Sequence, residues 1–124
     1  MSTDPFQGFN LYFAAAEGPA LSTEQDALDL LGETWGTGAD VIVVPVNRFA
    51  PCFFELSNKQ AGHFFQKMQN YQARLVILGD ISVHASHSKA LAGFVEEINR
   101  IGHHIFAFDR KDMEVKLSRS SWSG

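Results

Sequence analysis

The sequence of 124 residues is poor in cysteine, in basic residues and in long apolar runs. Cys52 is the single cysteine, which excludes an intrachain disulfide and predicts a cytoplasmic setting. No run approaches the roughly 20 apolar residues that a membrane-spanning helix needs, and the N-terminus lacks the basic start of a signal peptide. The formal net charge is −4, and no cluster of Lys or Arg stands out. We therefore expect neither membrane nor nucleic acid among its partners.

Motifs for catalysis and for cofactor binding are absent as well. The sequence contains no GxxxxGKS/T, GxGxxG or GxSxG pattern, so loops that cradle phosphates and the nucleophile elbow of hydrolases lack support. Cys52 lies between Pro51 and Phe53-Phe54, apolar neighbours that favour an inert thiol over a nucleophile. We expect no cofactor.

Five histidines suggest a metal site, because His84 and His87 are three residues apart and His103 is adjacent to His104. A structural zinc site usually combines cysteine and histidine ligands, and one cysteine cannot supply the common sets. Three histidines with Asp80 are the remaining alternative. We expect surface histidines and no bound metal.

Phenylalanine, by contrast, is abundant, with 11 residues in a chain that is 45% hydrophobic and 19% charged. This is the composition of a globular protein, and it predicts a core that is largely aromatic. The length is typical of one domain that can bury a core without disulfides or metal. We assign residues 1–124 to a single domain with its core at about residues 10–117.

Two apolar runs rich in β-branched residues, 41–44 and 75–78, are typical of strands that are buried on both faces. A helical pattern at Asn58–Tyr71 lies between them, so the three segments form a βαβ unit. A weaker strand is predicted at Asn10–Ala16 and a last one at His104–Asp109. The sequence thus predicts an α/β fold: a small, mostly parallel sheet of four to five strands with helices packed on it.

Helix boundaries are indicated by capping patterns. Ser22 to Gln25 and Ser57 to Gln60 have the spacing of capping boxes, and Ser86 or Ser88 can cap a third helix that Gly102 ends. Apolar residues at helical spacing predict the buried faces. They are Ala27, Leu28, Leu31 and Trp35; Ala61, Phe64, Phe65 and Met68; Leu91, Phe94, Val95 and Ile98; and Met113 with Leu117 in a C-terminal helix.

Polar side chains follow the predicted strands, at the edge of the sheet where α/β proteins bind ligands. The candidate binding or switch residues on this edge are Arg48, Glu55, Ser57, Asp80, Ser82 and His84. Glu55 and Asp80 can bind a cation or share a proton; alternatively, Asp80 accepts loop N–H groups and Glu55 is a solvated charge. Ser57 can carry a phosphate at a helix N-terminus, or it simply caps the helix.

Several segments are similar to a small bacterial family, domain-of-unknown-function family 4180. They are Pro51-Cys-Phe-Phe-Glu-Leu56, Ala61-Gly62, Gln66-Lys67, Tyr71, Leu75-Val-Ile-Leu-Gly-Asp80, Phe94, Glu97 and Asn99. Cys52 replaces the acid that usually follows the proline, Glu55 replaces an Asp, and Gly93 replaces a charged residue. The resemblance implies no assigned activity.

The order of segments at 41–46, 53–57 and 60–68 also resembles STAS-like domains, the fold of anti-sigma-factor antagonists. That resemblance implies a position for Ser57 near the serine that a partner kinase phosphorylates. The second glycine that such motifs carry near the helix start is not clearly present.

We therefore expect a non-enzymatic regulatory or binding module of STAS-like type that acts through the loops after the strands. Its partner would be a protein or a second copy, with Phe49, Phe53 and Phe54 forming an exposed aromatic patch at a homodimer interface. The alternative is a small hydrolase or ligand-binding enzyme that uses Glu55, Asp80 and His84. A structural subunit whose partner covers the aromatic patch is a third possibility.

Overall fold

The computed structural model describes residues 4–6, 9–15, 17–55, 59–86 and 88–119. These residues form one five-stranded sheet whose strands lie side by side in the order in which they occur in the chain. The strands are β1 (Asp4–Phe6), β2 (Phe9–Phe13), β3 (Val41–Pro45), β4 (Arg74–Leu78) and β5 (Ile105–Ala107). The first strand thus lies before the Asn10–Ala16 segment in which the sequence predicted one.

The sheet is parallel from β2 to β5, and β1 runs antiparallel to β2. The central strands pair in register from Val41 opposite Arg74 to Pro45 opposite Leu78. The first four residues of each are buried, as expected for parallel strands with covered faces. The predicted fold class, an α/β domain with a small and mostly parallel sheet, is confirmed.

In the described part of the chain, the α-helices that pack around this sheet are α1 (Glu24–Thr34), α2 (Gln60–Asn70), α3 (Ser82–Ser86), α4 (Lys89–Ile101) and α5 (Arg110–Arg119). Connections between parallel strands cross the sheet with one preferred hand. Each new parallel strand here lies on the same side of the strand before it, so the connecting helices lie on one face of the sheet. Accordingly α1, α2 and α4 share one core cluster with that face. Only α5, among the described helices, contributes to the core cluster on the opposite face.

Phenylalanine rings fill the core of the three-helix face. Phe53 is the centre of this group, with ring centroids 4.4 Å from Phe49 and 5.4 Å from Phe64. The short 3-10 turns Val46–Arg48 and Pro51–Phe54 fold these rings inward, leaving Phe49, Phe53 and Phe54 only 4%, 0% and 5% exposed. The prediction of an aromatic core is confirmed, whereas the exposed aromatic patch is wrong, because these three rings belong to the core.

The opposite face is covered by α5. Met113 and Leu117 are buried there against Val43 and Val76, as their spacing predicted. Asp109 begins the helix by accepting a hydrogen bond from the N–H of Asp112. The described residues thus form three layers, with the crossover helices α1, α2 and α4 on one side of the sheet and α5 on the other.

The boundaries of α4, the third helix that the sequence predicts, agree with the prediction. The starts of α1 and α2 differ from it. Ser88 caps α4 and Gly102 ends it with a φ of 86°, as predicted. In α1 the cap is Thr23, one residue later than expected, because the Asp26 carboxylate accepts from the N–H groups of both Ser22 and Thr23. In α2 the cap position is Lys59, with a φ of 63°; the predicted cap at position 57 lies outside the described residues.

No helix in the described part of the chain is both long enough and apolar enough to cross a membrane.

Candidate functional site

At the carboxyl ends of β4 and β5, the segments that leave these two neighbouring strands go to opposite faces of the sheet. After β4 the chain turns to the three-helix face, and after β5 it crosses to α5 on the other face. A crevice of about 220 Å³ lies at this separation, and we call it the strand-end crevice. Its polar lining consists of Asp80, Ser82, Asn99, Asp112 and Lys116, and Phe108 is its aromatic side chain that is most exposed to solvent.

Asp80 is fixed in position by the start of α3. Its Oδ1 accepts a hydrogen bond of 2.8 Å from the N–H of Ser82. The hydrogen bonds from Ser82, first from the side chain and then from the backbone, lower the pKa of Asp80. The carboxylate is fully exposed and stays ionised at neutral pH, so it presents a negative charge to whatever enters the crevice.

Gly79 brings the backbone close to the neighbouring connection just before Asp80. Its φ of 140° is unfavourable for a residue with a side chain, and a Cβ at this position would lie 2.6 Å from Cγ1 of Val46. Its N–H also donates to the carbonyl of Ala107 on β5. A glycine is therefore required for the close approach that shapes this end of the crevice.

Asn99 and Lys116 hold the outer edge of β5. The Asn99 side chain accepts from the N–H of Phe106 at 2.7 Å and donates to its carbonyl at 3.2 Å. Lys116 donates to the same carbonyl and to Asp112, each at 2.9 Å. These contacts satisfy the outward backbone groups of an edge strand that would otherwise be open to another chain.

Asp112 connects α5 to the end of β5. Its carboxylate accepts from the N–H of Phe108 at 2.8 Å and from the ammonium group of Lys116. The Phe108 hydrogen bond, followed by that of Lys116, lowers the pKa of Asp112. The crevice therefore carries the carboxylates of Asp80 and Asp112 against one ammonium group that is already engaged.

Arg48 lies at the same end of the sheet but has a different role. It is only 7% exposed, and its guanidinium donates to the carbonyls of Ala15 at 2.9 Å and Pro19 at 3.1 Å. A Cβ on Gly18 would lie 3.1 Å from Cζ of Arg48. Arg48 thus ties down the loop after β2, and its donors face inward.

The remaining predicted residues lie apart from the crevice lining. The His84 ring stacks on Phe54, with centroids 4.4 Å apart and planes inclined by 20°. Glu55 is exposed at the end of the second 3-10 turn. Ser57 lies outside the described residues. Of the six candidates, Asp80 and Ser82 line the crevice together.

Metal binding has no support in the described part of the chain, where no group of three or more His, Cys, Asp or Glu side chains could hold an ion. His104, expected at the surface, is instead 3% exposed. Its Nδ1 accepts from the N–H of Leu75 and its Nε2 lies 3.1 Å from the carbonyl of Phe65, which assigns the neutral tautomer with the proton on Nε2. Burial, and then the nearby His103, lower the pKa of His104 to about 3.

The sequence did not reveal four of the residues that line the crevice: Asn99, Phe108, Asp112 and Lys116. Phe108 and Asp112 had a local signal, because both flank Asp109 at the predicted junction of a strand and a helix. Asn99 and Lys116 reach the crevice from two helices on opposite faces of the sheet. No spacing in the sequence predicts that meeting.

The fold and the crevice define a three-layered α/β domain with a polar opening at the ends of adjacent parallel strands. The chain belongs to the family described as Domain of unknown function (DUF4180), whose model matches residues 7–117. The resemblance seen in the sequence is thereby confirmed. No curated protein and no solved structure matches the chain, and the STAS-like relationship stays a prediction.

Proposed function

We propose that this chain is a non-catalytic binding module of the cytoplasm whose strand-end crevice receives a side chain from a protein partner. The observation that carries the proposal is the position of Phe108, which is 60% exposed and lines a polar crevice of about 220 Å³. Small-molecule sites usually enclose about 300–1,000 Å³. A smaller opening beside an exposed aromatic ring fits one inserted side chain better than a whole ligand.

The charges favour a basic side chain from the partner. Asp80 presents an exposed carboxylate, and Asp112 a second one that is partly neutralised by Lys116. The lowered pKa values keep both carboxylates ionised at neutral pH. Phe108 adds apolar surface of the kind that anchors interfaces, and Val115, two turns along α5, is 43% exposed.

The partner would bind through side chains and not by adding a strand. Asn99 occupies both the N–H and the carbonyl of Phe106 that point outward from β5. An extended peptide needs those groups to continue the sheet. The blocked edge therefore favours contact at the crevice and along the exposed side of α5.

The same geometry gives little support to the hydrolase alternative. A general acid or base needs a pKa moved towards neutrality, whereas the pKa of Asp80 is lowered. Glu55 and His84 are not among the residues that line the crevice with Asp80. A regulatory role, a homodimer and modification of Ser57 are parts of the wider proposal that need their own measurements.

The test is a comparison of proteins captured by purified wild-type chain, Phe108→Ser and Asp80→Asn from a lysate of the native host. Ile101→Ser is the matched control, because Ile101 is 62% exposed and lies at the far end of α4. We expect a partner that the wild type and Ile101→Ser capture equally and that Phe108→Ser captures at least tenfold less.

Asp80→Asn should weaken that capture and reduce its sensitivity to salt, because one charge is removed. Identical capture by all four proteins would refute the crevice as the binding surface. Light scattering on the purified chain distinguishes a second copy from a different protein as the partner.

A further inference from the structure

A larger groove lies at the opposite end of the sheet, where the carboxyl ends of α1 and α2 come side by side. Its volume is about 550 Å³, and we call it the helix-end groove. The floor is formed by Leu31, Ala39, Ile42 and Ala73, and the two aromatic side chains in its lining are Trp35 and Tyr71. This size is within the range of sites for small organic molecules.

The two aromatic side chains are unusually accessible. Trp35 is 83% exposed and Tyr71 is 57% exposed, and each directly follows the last residue of its helix. Trp35 was predicted to continue the buried face of α1. The helix instead ends at Thr34, and the backbone of Trp35 is extended, with φ −59° and ψ 128°. Its indole therefore leaves the core and stands at the groove.

Hydrogen-bond donors at the groove are largely engaged within the chain. The N–H of Trp35 donates to Gly32, that of Tyr71 to Lys67 and that of Ala73 to Met68. The Thr34 hydroxyl donates to the carbonyl of Leu31. The same bonds engage carbonyls at the helix ends, because Leu31, Gly32, Lys67 and Met68 supply the acceptors. What the groove offers a ligand is therefore mainly its aromatic faces and apolar surface.

The charges around the groove favour a positively charged ligand. None of the described residues that line it carries a positive charge. The last turn of α1 has no basic residue. Lys67 is in the last turn of α2, and its Nζ lies 3.4 Å from Oε2 of Glu24, the first residue of α1. The negative ends of two helix dipoles therefore meet at the groove.

We propose that the helix-end groove is a binding site for a small organic cation, an ammonium group attached to an apolar or aromatic body. The body would lie on the apolar floor, and the ammonium group would contact the faces of Trp35 and Tyr71. An anion finds no positively charged side chain among the residues that line the groove. The site is separate from the strand-end crevice and does not depend on the function proposed for it.

Calorimetric titration with benzyltrimethylammonium tests the proposal, with benzyl alcohol and benzoate as neutral and anionic probes of similar size. We expect one molecule of the cation to bind at least tenfold more tightly than either control. Trp35→Ala and Tyr71→Ala should each weaken its binding at least tenfold. Ile101→Ala, which removes an exposed apolar side chain outside the groove, should leave it within twofold.

Circular dichroism of each variant establishes that the fold is kept, which the high exposure of both rings predicts. Equal affinity for the three probes, no binding of the cation, or affinity unchanged in both aromatic variants would each overturn the proposal. A chemical-shift map that moves residues of the strand-end crevice and not those of the groove would overturn it as well.

Discussion

The two ends of the sheet differ in how their polar groups are used. At the carboxyl end, Asp80, Asn99, Asp112 and Lys116 are held by hydrogen bonds around a small crevice. At the amino end, the surface groove is larger and is flanked by aromatic rings that the core does not cover. A preorganised polar site suits a partner of fixed shape, whereas an open aromatic groove suits a ligand that brings its own positive charge.

The amino end is nevertheless tightly built beneath its surface. Arg74 is 1% exposed and donates to the carbonyls of Gly102 and His103. Burial lowers the pKa of Arg74 to about 10. Next to it, His104 links β4, β5 and α2 through both ring nitrogens. At the carboxyl end, polar contacts order the surface of the molecule. At the amino end, polar contacts order the interior instead.

The largest effect is expected for Gly79→Ala at the carboxyl end. The added Cβ would be 2.6 Å from Cγ1 of Val46, and the φ of 140° is unfavourable for alanine. Overpacking and backbone strain together should lower the free energy of unfolding by about 4 kcal/mol. Urea denaturation of both proteins measures the difference.

Gly62→Ala is the matched control, because a Cβ there meets no atom within 4 Å and the residue is inside α2. It should raise stability by up to about 1 kcal/mol. The double variant Gly79→Ala with Val46→Ala relieves the clash but keeps the strain, so it should recover part of the loss. If Gly79→Ala is as stable as the wild type, the carboxyl end is not the closely packed region described above.

The next effect belongs to the interior of the amino end and depends on pH. His104 has a pKa of about 3 in the folded chain against 6.5 for an ordinary histidine, so the unfolded state binds the extra proton between these values. The contribution of neutral His104 to the free energy of unfolding is fully present above pH 6.5. Below that value it decreases by about 1.4 kcal/mol for each pH unit. We expect a loss of about 2.5 kcal/mol between pH 6.5 and about 4.5, measured by urea denaturation.

His103 contributes in the same direction, because burial first, and then the charge of Arg74, lower its pKa as well. Asp26 and Asp112, whose pKa values are also lowered, add their losses only near and below pH 3.8. His104→Gln should flatten the pH dependence above that value, and His63→Gln, at an exposed histidine, should preserve it. A wild-type stability that is constant from pH 6.5 to about 4.5 would rule out a buried neutral His104.

The architecture could be predicted from the sequence because its signals are local. Continuous apolar runs rich in β-branched residues mark β3 and β4, and the helical spacing of Phe64, Phe65 and Met68 marks the buried face of α2. Short polar elements such as α3 have weaker signals in the sequence. The helical period also continued beyond the true end of α1, which is why Trp35 was assigned to the core.

The candidate site could be predicted only where one segment carries it. Asp80 and Ser82 follow β4 directly, and the rule of strand ends finds them. Arg48 was expected to face solvent, as charged residues usually do. The carbonyls that it binds, those of Ala15 and Pro19, lie in a different loop some 30 residues earlier in the chain. Such long-range pairings leave no periodic trace, and the same holds for the contact of Asn99 with Phe106.

The smallest of the three effects is expected for Asn99→Ala, which tests how far the carboxyl end depends on its polar contacts. In this variant the carbonyl of Phe106 still accepts a hydrogen bond from Lys116, but the N–H of Phe106 loses its acceptor, the side-chain oxygen of Asn99. A buried donor without a partner costs about 2 kcal/mol, and exchange of the Phe106 amide should accelerate accordingly. Asn99→Asp keeps the acceptor and should lose less than half as much. Equal losses in the two variants would show that Asn99 stabilises β5 by packing and not by closing its edge.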